Sequence, residues 1–540
     1  MNLKAIFMGA AACALLSGAA YAQSTAPAGT PTPPPPPKHH HHVAASSSTG
    51  SDRLDLLEKR VEQQAAEIDA LKAQVAGQGS GVSSAQFESL QNQVYETQAA
   101  VKAASANSPV TWKRGRPTIS SSDGKYTFSP RVDVMGDWGI YSKQVVAGVD
   151  LKQTGENFRR AQIGFQGTFA GDFGYKFLYD FGGTNGDETY QAYYTNTATP
   201  PKLGSTGAGS GPHIKEAWVS YKGFLDPFTF IVGAIPPPAN LSDATASDDL
   251  LFNERPSSAQ LSRGLAGDDG RDSVGLEGVG SIWNVSAFLT GDTYGKGALI
   301  APSTSQAGLV SRAVVAPIQD TSNNFNIHLG GNYSYVFQPQ ESTTNAGVTT
   351  TAITFSDRPE LRVDNVTFLN TGAINARSAY AAGVEGGVSW GPLLVQGEDF
   401  WYGVSRLNAP AGVTNPNFSG WYVEGSWVIT GQWRTYNMTE GAFNRPYPDA
   451  PFNPGAGNWG AWELAGRYSE ADLDYDIHSK VSGEPVFGGD QTIWSAGLNF
   501  YPTDNLKFMF DYQNVKVENV TKLNNNGTYD TFEIRTQVTF

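Results

Sequence analysis

The last ten residues read Thr531-Phe532-Glu533-Ile534-Arg535-Thr536-Gln537-Val538-Thr539-Phe540. Phe532, Ile534, Val538 and Phe540 fall on one parity, and Glu533, Arg535, Gln537 and Thr539 fall on the other. Successive side chains of a strand point to opposite faces, so this segment makes a strand with one oily and one wet side. The same period of two runs upstream. Leu506, Phe508, Phe510 and Tyr512 alternate with Lys507, Asp511 and Gln513, and Trp421, Val423, Trp427 and Ile429 alternate with Tyr422, Glu424 and Ser426. Phe325, Ile327, Leu329, Tyr333, Tyr335 and Phe337 alternate with Asn326, His328, Asn332 and Ser334. At the far end Tyr126, Phe128, Val132, Val134, Trp138 and Ile140 alternate with Lys125, Arg131, Asp133 and Asp137. These stretches run about 10–15 residues, against 5–6 for a strand of a soluble sheet and 9–11 for one that crosses a membrane. Length therefore favours a transmembrane barrel over a soluble sandwich, and a sheet in hydrocarbon has to close.

Composition agrees. The chain has 540 residues, 60 Gly, 12% aromatics and only 16% charged residues, with 37 basic against 51 acidic side chains and a net charge of −14. A protein that binds nucleic acid by neutralising phosphates is a poor fit to that balance. No interior run of about 18 apolar residues exists, which excludes a helical membrane protein. What remains is an all-β transmembrane barrel preceded by helical and spacer segments.

Residues 1–22 read as an export signal: Lys4, an apolar run from Ala5 to Leu16, then Ala20-Tyr21-Ala22 as a small-x-small cleavage site. The one cysteine, Cys13, lies inside that run, so the mature chain has no disulfide and no Cys-based metal site. Residues 23–50 hold Pro33 to Pro37 and His39 to His42 and form an extended spacer. The histidines suit either a divalent metal or a solvated tract, and no metal is assigned. From 51 to 104 the period becomes helical. Leu54, Leu57, Val61, Gln64, Ile68, Leu71 and Val75 repeat at alternating spacings of three and four, the seam of a coiled coil used for association. An amphipathic helix packed on its own protein is the other reading. A connector, 105–125, leads to the barrel at 126–540.

Connections in the barrel alternate short and long. Tight turns are expected at 170–172, 223–227, 391–392 and 501–505, and long connections at 182–212, 236–271, 291–323 and 471–490. Segments 340–358 and 435–457 are longer than that scheme prefers. Counting from residue 126 gives sixteen strands, at about 26 residues per strand with its connection. An even count puts both barrel ends on one side, which places the spacer and coiled coil in the periplasm.

Phe158-Arg159-Arg160-Ala161, Ile163-Gly164-Phe165-Gln166-Gly167, Tyr175-Lys176-Phe177, Tyr179-Asp180-Phe181 and Ile214-Lys215-Glu216-Ala217-Trp218-Val219 resemble the phosphate-selective porin O/P family. So do Phe418 to Val423, Gly460-Ala461-Trp462-Glu463-Leu464, Arg467-Tyr468-Ser469 and Gly497-Leu498-Asn499-Phe500-Tyr501-Pro502. The resemblance implies a sixteen-stranded outer-membrane channel of a Gram-negative-type bacterium, a homotrimer with a basic lumen and an inward-folded third loop. Its partners would be outer-membrane lipid, further copies of itself and the barrel-assembly machinery, which reads a terminal aromatic such as Phe540; peptidoglycan would be a partner in a tethering role for the spacer and coiled coil. Glu254-Arg255 and Arg271 fit the family pattern after the fifth strand.

The polar parity puts Arg131, Arg160, Lys176, Arg467, Lys507 and Arg535 on the inner wall, with Asp133, Asp180, Glu216, Glu385, Glu424, Glu463, Asp511 and Glu533. Cations do not outnumber carboxylates there, so weak ion selectivity is expected. Segment 236–271 is the expected constriction. Arg255, Arg263 and Arg271 are its best solute contacts, because arginine grips oxyanions through two parallel bonds, and Glu254 stands beside them. Each wall charge also has a structural reading, as half of a pair that stiffens the barrel. No catalytic residue or cofactor is assigned, since His213, His328 and His478 lie in no recognisable motif. The function expected is passive diffusion of small hydrophilic solutes and ions, phosphate or other anions among them. The alternative is a tether from outer membrane to cell wall.

Overall fold

The computed structural model describes residues 109–540 apart from 114, 144, 147–148, 151–153, 183–192, 195–202, 205–212, 295–305, 344–348, 364–365 and 521–524. The export signal, the spacer and the coiled-coil seam lie outside the described residues. Sixteen barrel strands follow in chain order: β1 Thr127–Tyr141, β2 Thr154–Phe169, β3 Phe173–Asp180, β4 His213–Leu225, β5 Phe228–Ile235, β6 Arg271–Val279, β7 Trp283–Thr293 and β8 Ala307–Asp320. The second half comprises β9 Phe325–Gln338, β10 Ile374–Trp390, β11 Leu393–Arg406, β12 Asn417–Val428, β13 Ala461–Tyr475, β14 Val486–Thr503, β15 Leu506–Val520 and β16 Asn525–Thr539. Each pairs antiparallel with the next. β16 returns to β1 in register from Thr531 opposite Tyr141 to Thr539 opposite Asp133. Phe540 and Val132 close the seam with backbone bonds of 2.9 and 3.3 Å. The sheet thus has no free edge among these strands, which is what lipid demands of it.

Polarity is inverted relative to a soluble protein. Trp138, Phe165, Val232, Leu276, Leu289, Val384, Val395, Trp421, Trp494 and Phe532 are exposed on the outside. Glu463, Arg467, Lys507, Asp511, Glu533 and Arg535 are buried inside. Covering the outer belt with acyl chains removes it from water, worth roughly 1.5–3 kcal/mol for each fully covered Val-, Leu- or Phe-sized side chain.

Strands β1 and β16 place residues 127 and 540 at one end, where most connections are tight. At Gly391-Pro392 the glycine adopts φ 53°, the left-handed conformation that lets β10 turn into β11 within two residues. Segment 429–460 is the exception at this end. A short hairpin, Val110–Lys113 with Arg116–Ser120, extends β1 here and lies within the stretch read as a connector.

Two boundaries differ from the sequence reading. Residues 291–323 are not one long connection, because β8 occupies Ala307–Asp320 and only 321–324 turns into β9. Its inward positions Val310, Val314 and Ala316 are apolar and buried, so the alternation that marks other strands is blurred. Likewise β13 runs to Tyr475 and β14 starts at Val486, which shortens 471–490 to 476–485.

Three connections fold into the lumen. The first, 236–270, carries α1 (Leu241–Ala244) and α2 (Ser257–Ala266); here Leu261, Leu265 and Ala266 pack on Val310, Val336, Phe400 and Tyr402 of the wall. The second brings Leu361, Val363 and Phe368 against Ile493, Val515, Val517 and Tyr529. The third, 429–460, enters from the opposite end and forms a plug. Leu251 and Phe252 of the first segment share one apolar cluster with Phe443 of the plug. The inside of the barrel therefore holds a true hydrophobic core on the β8–β16 side.

Candidate functional site

The first inward segment is held by charges of the wall. Glu398 accepts the α1 amides of Leu241 and Ser242 at 2.8 and 3.0 Å, groups that a helix start leaves without internal partners. Asp511 accepts the Asn253 amide at 2.7 Å. Cations take the carbonyls: Lys507 donates to Leu250 at 2.6 Å, Arg467 to Glu254 at 2.9 Å, and Arg535 to Asn253. Arg535 also forks onto Asp137 at 2.6 Å through both nitrogens and reaches Glu254 at 2.9 Å. Burial alone would push Glu254 up, but Arg159, Arg535 and Arg362 outweigh it and hold its carboxyl well below the ordinary range. Glu360 of the second segment pairs with Arg467 and accepts the Ser257 amide at 3.0 Å at the start of α2. From the other end, Arg434 of the plug forks onto Glu463 at 2.6 and 2.9 Å.

A charged space that these segments leave open lies on the β1–β7 side. A cavity of about 370 Å³ runs between that wall, the inner face of segment 236–270 and the plug tip at Thr439-Glu440. Two of its cations are neutralised. Lys176 pairs with Glu216 at 2.7 Å, and Arg263 binds Asp243 at 2.5 Å, Asp269 at 2.6 Å and Asp268. Five more line the cavity with no ion pair among the described residues: Arg116, Arg131, Arg160, Lys215 and Arg255. Arg255 donates only to the carbonyls of Ser242, Asp243 and Thr245, neutral acceptors that leave its charge uncompensated. Burial and neighbouring Arg263 push it down to about 10, which still leaves a cation at neutral pH. Lys215 reaches Gln162 Oε1 at 3.5 Å, and Arg160 reaches the Met135 sulfur at 3.6 Å. Against these five stand three lining carboxylates without an ion pair among the described residues, Asp133, Glu277 and Glu440.

Of the residues read as solute contacts, Arg255 and Arg263 line the cavity, while Glu254 and Arg271 do not. Glu254 is enclosed by Arg159, Arg362 and Arg535. Arg271 donates to the carbonyls of Gly267 and Gly291 at 2.7 and 3.1 Å, tying the foot of the segment to β7. Of the wall residues, Arg131, Arg160 and Lys176 face the cavity. Glu463, Arg467, Lys507 and Arg535 are buried under the inward segments.

The period of two does not single out Lys215, Arg159, Arg116 or Glu440 as lumen residues. Lys215 is the extra residue of a bulge in β4, where Ile214 lies opposite Tyr179 and Glu216 opposite Leu178. Arg159 occupies the same position in β2, between Phe158 opposite Gly136 and Arg160 opposite Met135. Both doublets, Arg159-Arg160 and Lys215-Glu216, break strict alternation, and adjacent charges within a strand are the available signal for such a bulge. Arg116 sits in the front hairpin and Glu440 in the plug, neither of which has a strand period to read.

The sequence matches the family described as phosphate-selective porin O and P over residues 136–540. The chain belongs to that family. Among curated relatives, Porin O of Pseudomonas aeruginosa is 24% identical over 451 residues, covering 79% of this chain and 91% of that protein. A protein of Caulobacter vibrioides without an assigned role is 23% identical over 430 residues, covering 78% of this chain and 75% of its own. Among solved structures, the outer-membrane channel DcaP of Acinetobacter baumannii aligns with a TM-score of 0.42 at 11% identity, over 78% of this chain and 99% of DcaP. This porin is an outer-membrane channel built on a closed barrel of sixteen strands.

Proposed function

We propose that this porin passes small hydrophilic solutes and ions by passive diffusion, with a preference for anions such as phosphate. The observation that carries the reading is the cavity, where five cations without a carboxylate partner face three such carboxylates. Low-dielectric walls focus that field on a permeating ion. Counting every inner-wall charge equally gave weak selectivity. Removing the charges spent on holding inward segments shifts the balance toward cations. The description of the family as phosphate-selective supports the same direction.

In this reading the tight-turn end faces the periplasm, the N-terminal segment lies there too, and Phe540 serves the assembly machinery. Three copies associate in outer-membrane lipid. The tether reading rests on residues 23–104, outside the described residues, and neither the fold nor the relatives support it. The test is conductance in planar bilayers. Discrete steps, a reversal potential on the anion side in a potassium chloride gradient, and reduction of chloride current by added phosphate are expected. A silent protein, or a cation-selective one, would overturn the proposal.

A further inference from the structure

The plug tip combines a fixed backbone with a free side chain. Asn284 of β7 donates to the carbonyls of Met438 and Thr439 at 3.2 and 2.7 Å. Arg312 of β8 donates to the carbonyls of Glu440 and Gly441 at 2.9 and 2.7 Å. Gly441 turns the chain at φ 59° immediately afterwards. Four bonds from two wall strands thus hold residues 438–441 in place. The Glu440 carboxylate itself has no hydrogen bond or ion pair among the described residues and stands on the cavity surface. A carboxylate that served only to staple the plug would be engaged, as Glu463 is by Arg434.

We infer that Glu440, carried into the passage on this rigid tip, sets the ion preference of the porin by opposing the unpaired cations of the cavity. The inference rests on the diffusion reading above and names the residue that tunes it. The charges facing Glu440 are Lys176 on β3, Arg131 on β1, and Asp248 and Asp249 of the inward segment. Lys176 is already neutralised by Glu216, and Asp248 by Arg445 at 3.1 Å. Arg131 is therefore the cation that Glu440 most directly offsets. Glu440 also differs from the other two unpaired carboxylates, Asp133 on β1 and Glu277 on β6, in standing on the inserted plug rather than the wall. It lines the cavity from the plug side, across from the wall cations.

The Glu440 side chain is exposed to the cavity, and the protein that surrounds the cavity limits the water that can solvate its charge. Burial, reinforced by Asp249 and Asp248, raises it to about 7. Ionised at pH 8 and largely neutral at pH 6, it would let the same channel favour anions more strongly in acid.

The test uses the full-length channel in planar bilayers and compares wild type, Glu440→Gln and Glu440→Asp by reversal potential in a potassium chloride gradient. Glu440→Gln is expected to raise the anion-to-cation permeability ratio by about threefold, and Glu440→Asp to stay near wild type. Lowering the pH from about 8 to about 6 should move wild type toward anions, and that shift should vanish in Glu440→Gln. An unchanged ratio in Glu440→Gln, or a pH shift that persists in it and so belongs to Asp248 or Asp249, would overturn the inference while leaving the channel reading intact. The wild-type titration needs no variant, and its failure to move is equally decisive. A wild-type protein without conductance would overturn the diffusion reading, and this inference with it.

Discussion

Arg535 is only 1% exposed and is held by Asp137, Glu254 and the Asn253 carbonyl. Three charges out of water are stable only as a set, because truncating one leaves the others desolvated and unbalanced. Arg535→Ala is therefore expected to destabilise the folded barrel by about 3–5 kcal/mol. It should be read as a lower temperature of conversion from folded to unfolded mobility in semi-native electrophoresis. Replacing Arg535 and Asp137 together, as Arg535→Met with Asp137→Asn, should recover most of the loss, since Glu254 keeps Arg159 and Arg362 and neutral substitutes of similar volume need no compensation. A double variant as unstable as Arg535→Ala would place the loss in the arginine's bond to the Asn253 carbonyl rather than in unbalanced charge. Glu254 adds a pH dependence whose sign follows from its depressed carboxyl. The stabilisation it lends is complete above an ordinary carboxylate pKa of about 4.3 and fades as pH falls through the folded value. Acidification below about pH 4 should loosen segment 236–270, seen as increased open-channel current noise in wild type and less in Glu254→Gln.

Among the elements, the plug gives the sharpest test, because its feet already touch. Ile429 donates its amide to the Trp462 carbonyl at 2.9 Å, so β12 and β13 are adjacent where the plug leaves and returns. Replacing 431–460 by a tight turn, with Glu463→Gln so that loss of Arg434 leaves no unpaired buried carboxylate, should leave the barrel intact and raise unitary conductance at least about twofold, since the narrowest part of a pore dominates its resistance. Unchanged conductance would place the resistance in segment 236–270 instead. Neither the plug nor its ties were legible in the sequence. A wall strand reveals itself by a period of two only while its inward positions are polar. Where an inward segment packs against it, as at Val310 and Val336, those positions turn apolar and the signal fades. The strands read most easily, β12, β15 and β16, instead keep charges such as Glu424, Asp511 and Arg535 on their inner face. Residue type gave Arg467 and Lys507 their inner parity, but not whether each meets solute or a loop carbonyl. Their partners Glu254 and Leu250 lie more than 200 positions away in a segment without periodicity.

At the scale of the molecule, the barrel wall is uneven. Strands β3 and β5 have 8 residues and β6 has 9, whereas β10 has 17 and β14 has 18. A tilted strand of eight residues rises roughly 19 Å, short of the apolar band of about 25 Å that lipid-facing barrels present. A continuous aromatic patch runs over the outer face of β1 to β4, of which β3 is the short strand. Phe128 and Phe177 flank Phe165 with ring centroids at 5.7 and 5.6 Å, Phe169 and Phe173 stack at 5.0 Å, and Phe173 meets Tyr221 at 4.7 Å. Where this patch meets the short strands β3, β5 and β6, the wall is better shielded by another copy than by acyl chains, and strands of this side line the cavity. In a trimer the three passages would then lie close to the shared axis, on the side most protected from lipid. The joint variant Phe165→Ala and Phe173→Ala is expected to convert the proposed trimer to monomer in native mass spectrometry from detergent. Trp494→Ala, on the tall β14 wall and 61% exposed, should leave the trimer unchanged. Retention of the trimer by the double alanine variant, with loss in Trp494→Ala, would move the association surface to the opposite side of the barrel and detach it from the solute path.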